Sequence, residues 1–387
     1  MTDTDLISPL RRVRDPKIIR GRIEAVAAAR FDLIAPQNIL TLSGDCSQFQ
    51  LNLSEPLITD NGVIKGPVEA SYTEGAWRHV AERLRVPTQY LTRLANDERQ
   101  SLNWLAASNV NTLAEIDDRT ALYRFLDTED GLILRAVRSD KFLTLDGDAA
   151  LVAIVKGLMA HGLNIGDCEM EADITVDTLR MKIAVPKVGV VAKELLRDYR
   201  SPFDKRPGNE LPMLWAGVEI TNSDTGNGAF RVGPRAVIQV CNNGLTQAVE
   251  FRRTHIGAQL EEGVVQWSDQ TVSTALALIT SQVEDAVGTF ISTEYLEKLV
   301  ATMMIAKGLD VGSPSDAVTV VQRRFKFSDE ETKSVLDCFM LSGDTSVFGL
   351  SQAVTAAAQA AETGDRQSEM EGAFELMMAA PQEYVAV

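Results

Sequence analysis

Apolar and polar residues alternate with two different periods along this chain, and the changes of period divide it into three parts. Near the start, apolar residues recur every three or four positions, which is typical of helices with one buried face. Between about residues 110 and 240 they recur mostly every second position, as in strands, and the helical period returns after Trp267. The pattern predicts an α+β fold with a central antiparallel sheet built from hairpins, flanked by an N-terminal helical region and a helical C-terminal region.

Capping residues predict where several helices begin. Asp15-Pro16 combines an N-cap with a proline at the first helical position, and isoleucines follow at helical spacing. The longest apolar stripe runs from Val272 to Phe290. Polar caps of the same kind predict helices after Asp15, Thr73, Asp146 or Asp148, Ser292 and Ser328.

Turn residues mark the predicted strand pairs. Asp130-Gly131 lies between two extended runs, residues 119–126 and 132–137, and Asp-Gly is a strong hairpin signal. A second hairpin is predicted around Gly44-Asp45, and two further strands flank the glycine-rich turn at residues 223–228. The predicted sheet therefore collects strands from most of the middle of the chain.

The chain has 387 residues, of which 45% are hydrophobic, and this suffices for one large or two ordinary domains. We expect a basic N-terminal arm or helix over residues 1–36 and an α+β core with the central sheet over residues 37–267. A helical region is expected over residues 268–387.

Charge is segregated along the sequence. The formal net charge of −16 argues against a protein whose whole surface binds phosphate, because nucleic-acid binding depends on lysine and arginine. From Pro9 to Arg30, however, seven basic residues and two acidic ones give a net charge of +5, which leaves −21 for the rest. This segment is either a solvated helix docked on the body or an arm that contacts nucleic acid or a neighbouring subunit.

The sequence lacks the common motifs for export, membrane insertion and cofactor binding. The N-terminus lacks the apolar region of a signal peptide, and no run of about eighteen apolar residues occurs, so we expect a cytoplasmic protein without membrane contact. No phosphate-binding glycine loop is present, so no nucleotide cofactor is expected. Neither zinc-type spacing nor a disulfide pattern is formed by the cysteines, which are Cys46, Cys168, Cys241 and Cys338.

Two groups of residues suggest enzyme chemistry only weakly. Asp167, Glu169, Glu171 and Asp173 would share one strand face, but about 6 to 7 Å separates successive members, so a charged sheet face is expected and no metal site. Cys241 and His255 would form a Cys-His pair if the chain folds back between them; a buried core cysteine is the simpler interpretation.

The basic residues of the middle region are the predicted nucleic-acid-binding site. If the strands pair, arginines from the Asp130-Gly131 hairpin and from residues 231–253 gather on one face, where asparagines assist binding to phosphates or base edges. Phe142, Phe230 and Phe251 are the candidate stacking platforms. The predicted binding residues are Arg135, Arg138, Lys141, Arg231, Arg235, Asn242, Asn243, Arg252, Arg253 and His255.

Two stretches of the middle region, residues 135–142 and residues 222–255, resemble a known family. RAVRSDKF, followed by NSDTGNGAFRV, CNNGL and RRTH, resembles the phage- and plasmid-encoded family known mainly as a domain of unknown function. The resemblance covers about Tyr72 to Glu362 and implies mobile genetic elements, without an established reaction; a tyrosine frequent in the family is Phe142 here. The order of elements is also similar in outline to the phage single-strand annealing proteins of the Red-beta and RecT type.

Three hypotheses follow. The first is a mobile-element DNA-metabolism protein that binds single-stranded nucleic acid through the central sheet and the basic arm, as an oligomer of the recombination or annealing type. The second is an oligomeric phage protein that binds a host defence or regulatory protein without nucleic acid. The third is an enzyme of unknown reaction, and a binding role is favoured over it.

Overall fold

The computed structural model describes residues 6–59, 62–142, 144–203, 205–210, 213–238, 243–246, 251–253 and 268–385. Over these ranges the predicted α+β class is confirmed, because twelve helices accompany two large, mainly antiparallel sheets. The predicted strands divide between two sheets, which the alternation in the sequence does not distinguish.

The first part of the chain forms a six-stranded sheet in the order β2-β8-β9-β7-β4-β3, while β1 joins the other sheet and β5 pairs with β6. Its elements are β1 (Leu10–Val13), α1 (Pro16–Ala29), β2 (Arg30–Pro36), β3 (Leu40–Leu42), β4 (Phe49–Leu51), β5 (Leu57–Thr59), β6 (Gly62–Ile64), β7 (Val68–Tyr72), α2 (Glu74–Arg83), α3 (Thr88–Ala95), α4 (Gln100–Glu115), β8 (Thr120–Thr128) and β9 (Gly131–Ser139).

The second part forms a seven-stranded sheet in the order β1-β10-β11-β12-β13-β14, in which β15 also pairs with β13. Its elements are α5 (Gly147–Ala160), β10 (Glu169–Ile174), β11 (Leu179–Val191), α6 (Lys193–Leu196), β12 (Met213–Asn222), β13 (Phe230–Ile238), β14 (Asn243–Thr246), β15 (Phe251–Arg253), α7 (Asp269–Phe290), α8 (Thr293–Lys307), α9 (Pro314–Phe325), α10 (Asp329–Ser342), α11 (Val347–Ala357) and α12 (Gly364–Ala379).

Local signals account for most helix starts. The predicted caps Asp15, Thr73, Ser292 and Ser328 each accept a hydrogen bond from a backbone N–H in the first turn of their helix. Asp146 precedes α5 as predicted but caps no N–H, because its carboxylate binds an arginine of β8 instead.

Buried apolar side chains of the described residues form two clusters. One lies between the six-stranded sheet and helices α2 to α4, and it contains Phe49 and Trp77. The other combines the apolar face of the seven-stranded sheet with buried side chains of helices α1, α5 and α7 to α12, and it contains Met181 and Phe348. Since β10 to β13 share this core with the helices after residue 268, only their opposite face remains for polar side chains.

Across the described ranges, none of the helices is both long enough and apolar enough to span a bilayer.

Candidate functional site

The predicted binding residues do not form one surface. Arg135 and Arg138 lie on β9 of the six-stranded sheet, whereas Arg231 and Arg235 lie on β13 of the seven-stranded sheet. Arg135, Lys141 and Arg235 are buried, with relative exposures of 2%, 3% and 6%. These three side chains therefore do not belong to an exposed basic face, contrary to the prediction.

Arg135 is instead part of a buried contact between the two sheets. Its Nη1 and Nη2 atoms donate to the two carboxylate oxygens of Asp224, at 3.0 and 2.6 Å, and its Nε donates to the carbonyl of Val176 at 2.8 Å. Asp224 lies in the turn between β12 and β13. Burial alone would raise the pKa of Asp224, but the charges of Arg135 and Arg124 outweigh burial and hold the pKa below its ordinary value.

Arg124 completes this contact, which we call the arginine junction and define by Asp32, Arg124, Arg135, Asp146 and Asp224. Arg124 is fully buried on β8. It donates to Asp32 at 3.0 Å, to Asp146 at 2.8 Å and to the backbone carbonyl of Asp224. The junction thus joins the six-stranded sheet, the start of α5 and the β12–β13 turn through paired charges.

The NSDTGNG segment, residues 222–228, forms this turn. Gly226 adopts φ +79°, a conformation that side chains rarely tolerate, and a Cβ there would lie 2.9 Å from both Nε of Arg138 and the ring of Phe142. The Arg138 guanidinium lies over the Phe142 ring, 5.0 Å from its centroid, and burial lowers the Arg138 pKa. The RAVRSDKF and NSDTGNG segments therefore meet here and hold the sheets together.

Of the remaining predicted residues, Arg231 and the backbone of Asn243, Arg252 and Arg253 lie near the far edge of the seven-stranded sheet. Arg231 pairs with Arg252 across β13 and β15, and Asn243 pairs with Ile238 across β13 and β14. The side chains of Asn243, Arg252 and Arg253, and the whole of Asn242, His255 and Cys241, fall outside the described residues. Of the predicted stacking platforms, Phe230 is buried and Phe142 contacts Arg138, whereas the Phe251 side chain is also outside the description.

The predicted acidic face of β10 faces cations on both neighbouring strands. Glu171 lies opposite Lys182 of β11 and accepts from Nε and Nη2 of Arg14 at 2.9 and 2.8 Å. Lys182 in turn lies opposite Glu219 of β12. Acid and base thus alternate across the sheet, which is the arrangement that stabilises neighbouring strands. Within the described part of the chain, no cluster of His, Cys, Asp or Glu has the form of a metal site.

Helix α12 covers part of this charged face and contributes a buried carboxylate. Glu371 is completely buried; it accepts from Nη1 of Arg235 at 2.6 Å and lies 3.1 Å from Nζ of Lys182. Burial alone would raise the pKa of Glu371, but the charges of Arg235 and Lys182 outweigh burial and hold the pKa at about 2. Arg235, a predicted binding residue, is therefore fixed by a partner 136 residues away.

A cavity of about 450 Å³ opens beside these charges. The cross-strand register places Ala184 next to Gly217 and Gly217 next to Arg235, so the middle of this row carries almost no side-chain volume. Gly217 cannot be larger, because a Cβ there would lie 2.3 Å from the carbonyl oxygen of Ile183. The cavity is lined by Arg14, Pro16, Cys168, Glu169, Met170, Glu171, Lys182, Ala184, Arg235, Val237 and Gln359.

Exposed cations lie directly beside the cavity, along β1 and the first turns of α1. Residues 11–20 contain five of them, all exposed, and we call this set the basic edge. Arg11 and Arg12 donate to the backbone carbonyls of Glu362 and Ala361, respectively. The basic edge consists of Arg11, Arg12, Arg14, Lys17 and Arg20.

Two titratable groups near the β12–β13 turn respond to pH in opposite ways. Burial raises the pKa of Asp177 to about 6 and lowers that of His79 to about 3. Between about pH 4 and 6 the folded protein therefore holds an extra proton at Asp177 and lacks one at His79, relative to the unfolded chain. Asp177 makes the fold less stable as pH rises through this window and His79 makes it more stable, so their contributions cancel.

The substitution Asp177→Asn should remove the Asp177 contribution to the pH dependence of stability and leave that of His79. Because the variant no longer buries a carboxylate, its free energy of unfolding at pH 8 should exceed that of the parent protein by about 2 kcal/mol. As pH falls from 6 to 4, stability should decrease by about 1 kcal/mol per pH unit, since His79 now acts alone. Urea unfolding between pH 4 and 8 measures both effects.

Asp130→Asn is the matched control for this prediction. Asp130 is exposed in the β8–β9 turn, and Asn-Gly suits that turn as well as Asp-Gly. The control should follow the parent protein at every pH. An Asp177→Asn variant that is less stable than the parent at pH 8 would contradict the prediction.

No family model, curated protein or solved structure matches this chain.

Proposed function

We propose that this protein binds single-stranded nucleic acid through the basic edge, as part of the DNA metabolism of a mobile genetic element. The mobile-element setting comes from the resemblance in the RAVRSDKF and NSDTGNG segments. The basic edge differs from the mid-chain surface predicted from the sequence. Two arginines of that surface form ion pairs with buried carboxylates, Arg135 with Asp224 and Arg235 with Glu371.

The proposal is supported by the exposure and the ion pairing of three cations in the basic edge. Arg11, Arg12 and Lys17 are exposed, and within the described ranges none of them forms an ion pair with a carboxylate. Carbonyl contacts orient the guanidinium groups of Arg11 and Arg12 without cancelling their charge. Such groups are suited to phosphate, which accepts several charge-assisted hydrogen bonds.

The form of the surface favours a single strand over a duplex. β1 is an edge strand with one neighbour in its sheet, and the adjoining cavity can receive a group the size of one base. Bases of a duplex are stacked and paired, so a duplex would have to break these contacts to turn a base into the cavity, whereas an unpaired strand would not. The −16 net charge of the chain limits contact to this edge, so binding should be weak and sensitive to salt.

A triple variant, Arg11→Ala, Arg12→Ala and Lys17→Ala, tests the proposal. Three phosphate contacts on a single strand correspond to a slope of about −2 in a plot of log affinity against log salt. The variant should bind a labelled oligonucleotide at least tenfold more weakly in about 50 mM salt, with a slope near zero. Fluorescence anisotropy between about 25 and 200 mM salt measures both.

The control changes the same number of charges elsewhere. Lys65, Arg93 and Lys193 are exposed and outside the basic edge, so their triple alanine variant should retain most of the affinity and the slope. Equal losses in the two triple variants, or no binding by the parent protein at low salt, would contradict the proposal. Light scattering with and without the oligonucleotide tests whether the protein also assembles into an oligomer.

A further inference from the structure

We infer that the cavity beside the basic edge is a base-reading site, which takes a nucleobase carrying both an exocyclic amino group and a carbonyl, as cytosine does. This inference rests on the proposed function for the phosphate contacts, and it adds sequence preference to it. Volume, chemistry and position of the cavity each contribute to it.

The volume suits one base with part of its sugar. About 450 Å³ is within the range of pockets that enclose small ligands. The space exists because Ala184 and Gly217 occupy the middle of the sheet face, where larger residues would fill it. Met170, Ala184 and Val237 supply apolar contact for the ring.

The polar groups of the cavity are divided between two sides. Glu169 and Glu171 on β10 supply acceptors, whereas Lys182 on β11 and Arg235 on β13 supply donors. Cytosine offers amino hydrogens to a carboxylate and a carbonyl oxygen to a cation. Thymine has carbonyls in place of the amino group, and one of them would face a carboxylate.

The donors are held in place before any ligand binds. Glu371 of α12, which covers part of the same sheet face, contacts both Lys182 and Arg235, and all three side chains are buried. A lysine ammonium has three N–H donors and a guanidinium has five, so these contacts leave donors for a ligand. Such preorganisation lowers the entropic cost of binding.

Recognition here would depend on hydrogen bonds and not on stacking. Among the described residues that line the cavity, none is aromatic. Sequence-tolerant binding of single strands relies on aromatic platforms, because every base has a π-face. A site without such a platform discriminates by donors and acceptors, so we expect a preference among bases.

Arg14 links the cavity to the basic edge. Its guanidinium is paired with Glu171, yet 66% of its side chain is exposed. A phosphate beside the bound base would compete with Glu171 for Arg14, and this exchange would free the Glu171 carboxylate for the base. Phosphate contact and base reading would therefore support each other.

The first test compares oligonucleotides of dC and dT of equal length. The parent protein should bind the dC chain about tenfold more tightly, which is the size of one hydrogen-bonded discrimination. Ala184→Leu, which fills the cavity, and Glu169→Gln, which replaces one oxygen of an exposed carboxylate by an amide donor and removes the charge, should each bring the two affinities to within about twofold. Retained dT binding shows that both variants are folded.

Glu194→Gln is the charge-matched control, because Glu194 is exposed and does not line the cavity. It should keep the full dC preference. Equal affinities of the parent protein for dC and dT would overturn the inference. A preference that survives both Ala184→Leu and Glu169→Gln would also overturn it, because the reading groups would then lie elsewhere.

Mononucleotides separate this inference from the proposed function. Saturation-transfer NMR with dCMP and dTMP should detect dCMP in the parent protein and lose it in Ala184→Leu. Binding of dCMP without any binding of oligonucleotides would keep the base-reading site and contradict the proposed function. Oligonucleotide binding through the basic edge, without dC preference and without dCMP binding, would keep the proposed function and contradict the base-reading site.

Discussion

Replacing Asp224 by alanine is expected to lower the free energy of unfolding by about 3 to 5 kcal/mol. Asp224 is the carboxylate that pairs with Arg135, and both are buried, with relative exposures of 7% and 2%. Without it, the Arg135 guanidinium would keep its hydrogen bond to the Val176 carbonyl but lose the carboxylate that accepts from both of its Nη atoms. A buried cation without a counterion costs more than the loss of its hydrogen bonds.

Two further variants separate the charge effect from lost packing. The double variant Asp224→Leu with Arg135→Met removes both charges, so it should recover a large part of the loss. Asp127→Ala, an exposed change on β8, should alter stability by less than about 0.5 kcal/mol. Urea unfolding measures all three, and a double variant no more stable than Asp224→Ala would contradict this account of the junction.

Replacing Glu371 by alanine is expected to cost about 3 kcal/mol, by the same mechanism in the other charge cluster. Glu371 is the buried partner of Lys182 and Arg235. The expected loss is at the lower end of the range because Glu219 still lies 3.6 Å from Arg235, and Glu171 and Glu219 still lie opposite Lys182.

The matched control is on the same helix. Glu369→Ala removes a carboxylate that is 65% exposed and paired with Arg366, so the expected change is below about 1 kcal/mol. The double variant Lys182→Met with Glu371→Met should be more stable than Glu371→Ala, because Arg235 then retains Glu219 as its counterion. Equal losses for Glu369→Ala and Glu371→Ala in thermal or urea unfolding would contradict the prediction.

Elements with local signals could be predicted from the sequence. Ser328 and Glu331 form a capping box three residues apart, and Asp130-Gly131 closes a hairpin between adjacent strands. The division into two sheets could not be predicted, because alternation gives the faces of a strand but not its neighbour. β1 shows this clearly, since Leu10 pairs with Ile174.

The candidate site was missed for a related reason. Arg135 and Lys182 were accessible to sequence reasoning only as charges, and their partners Asp224 and Glu371 are 89 and 189 residues away. A usable signal did exist: each cation interrupts a run of apolar residues, LILRAV and MKIAV, which indicates a strand buried on both faces. A charge in such a run requires a buried counterion.

The contact between β1 and the segment that joins α11 to α12 has a consequence for the timing of folding during synthesis. The hydrogen bond from Arg11 to Glu362 joins residues 351 positions apart. At about 5 to 20 residues per second, a ribosome needs on the order of tens of seconds to make the chain between them. Throughout that interval β1 and the charged face of the seven-stranded sheet lack the C-terminal segment that contacts them in the folded protein. A chaperone that shields unpaired strand edges should therefore raise the yield of folded protein.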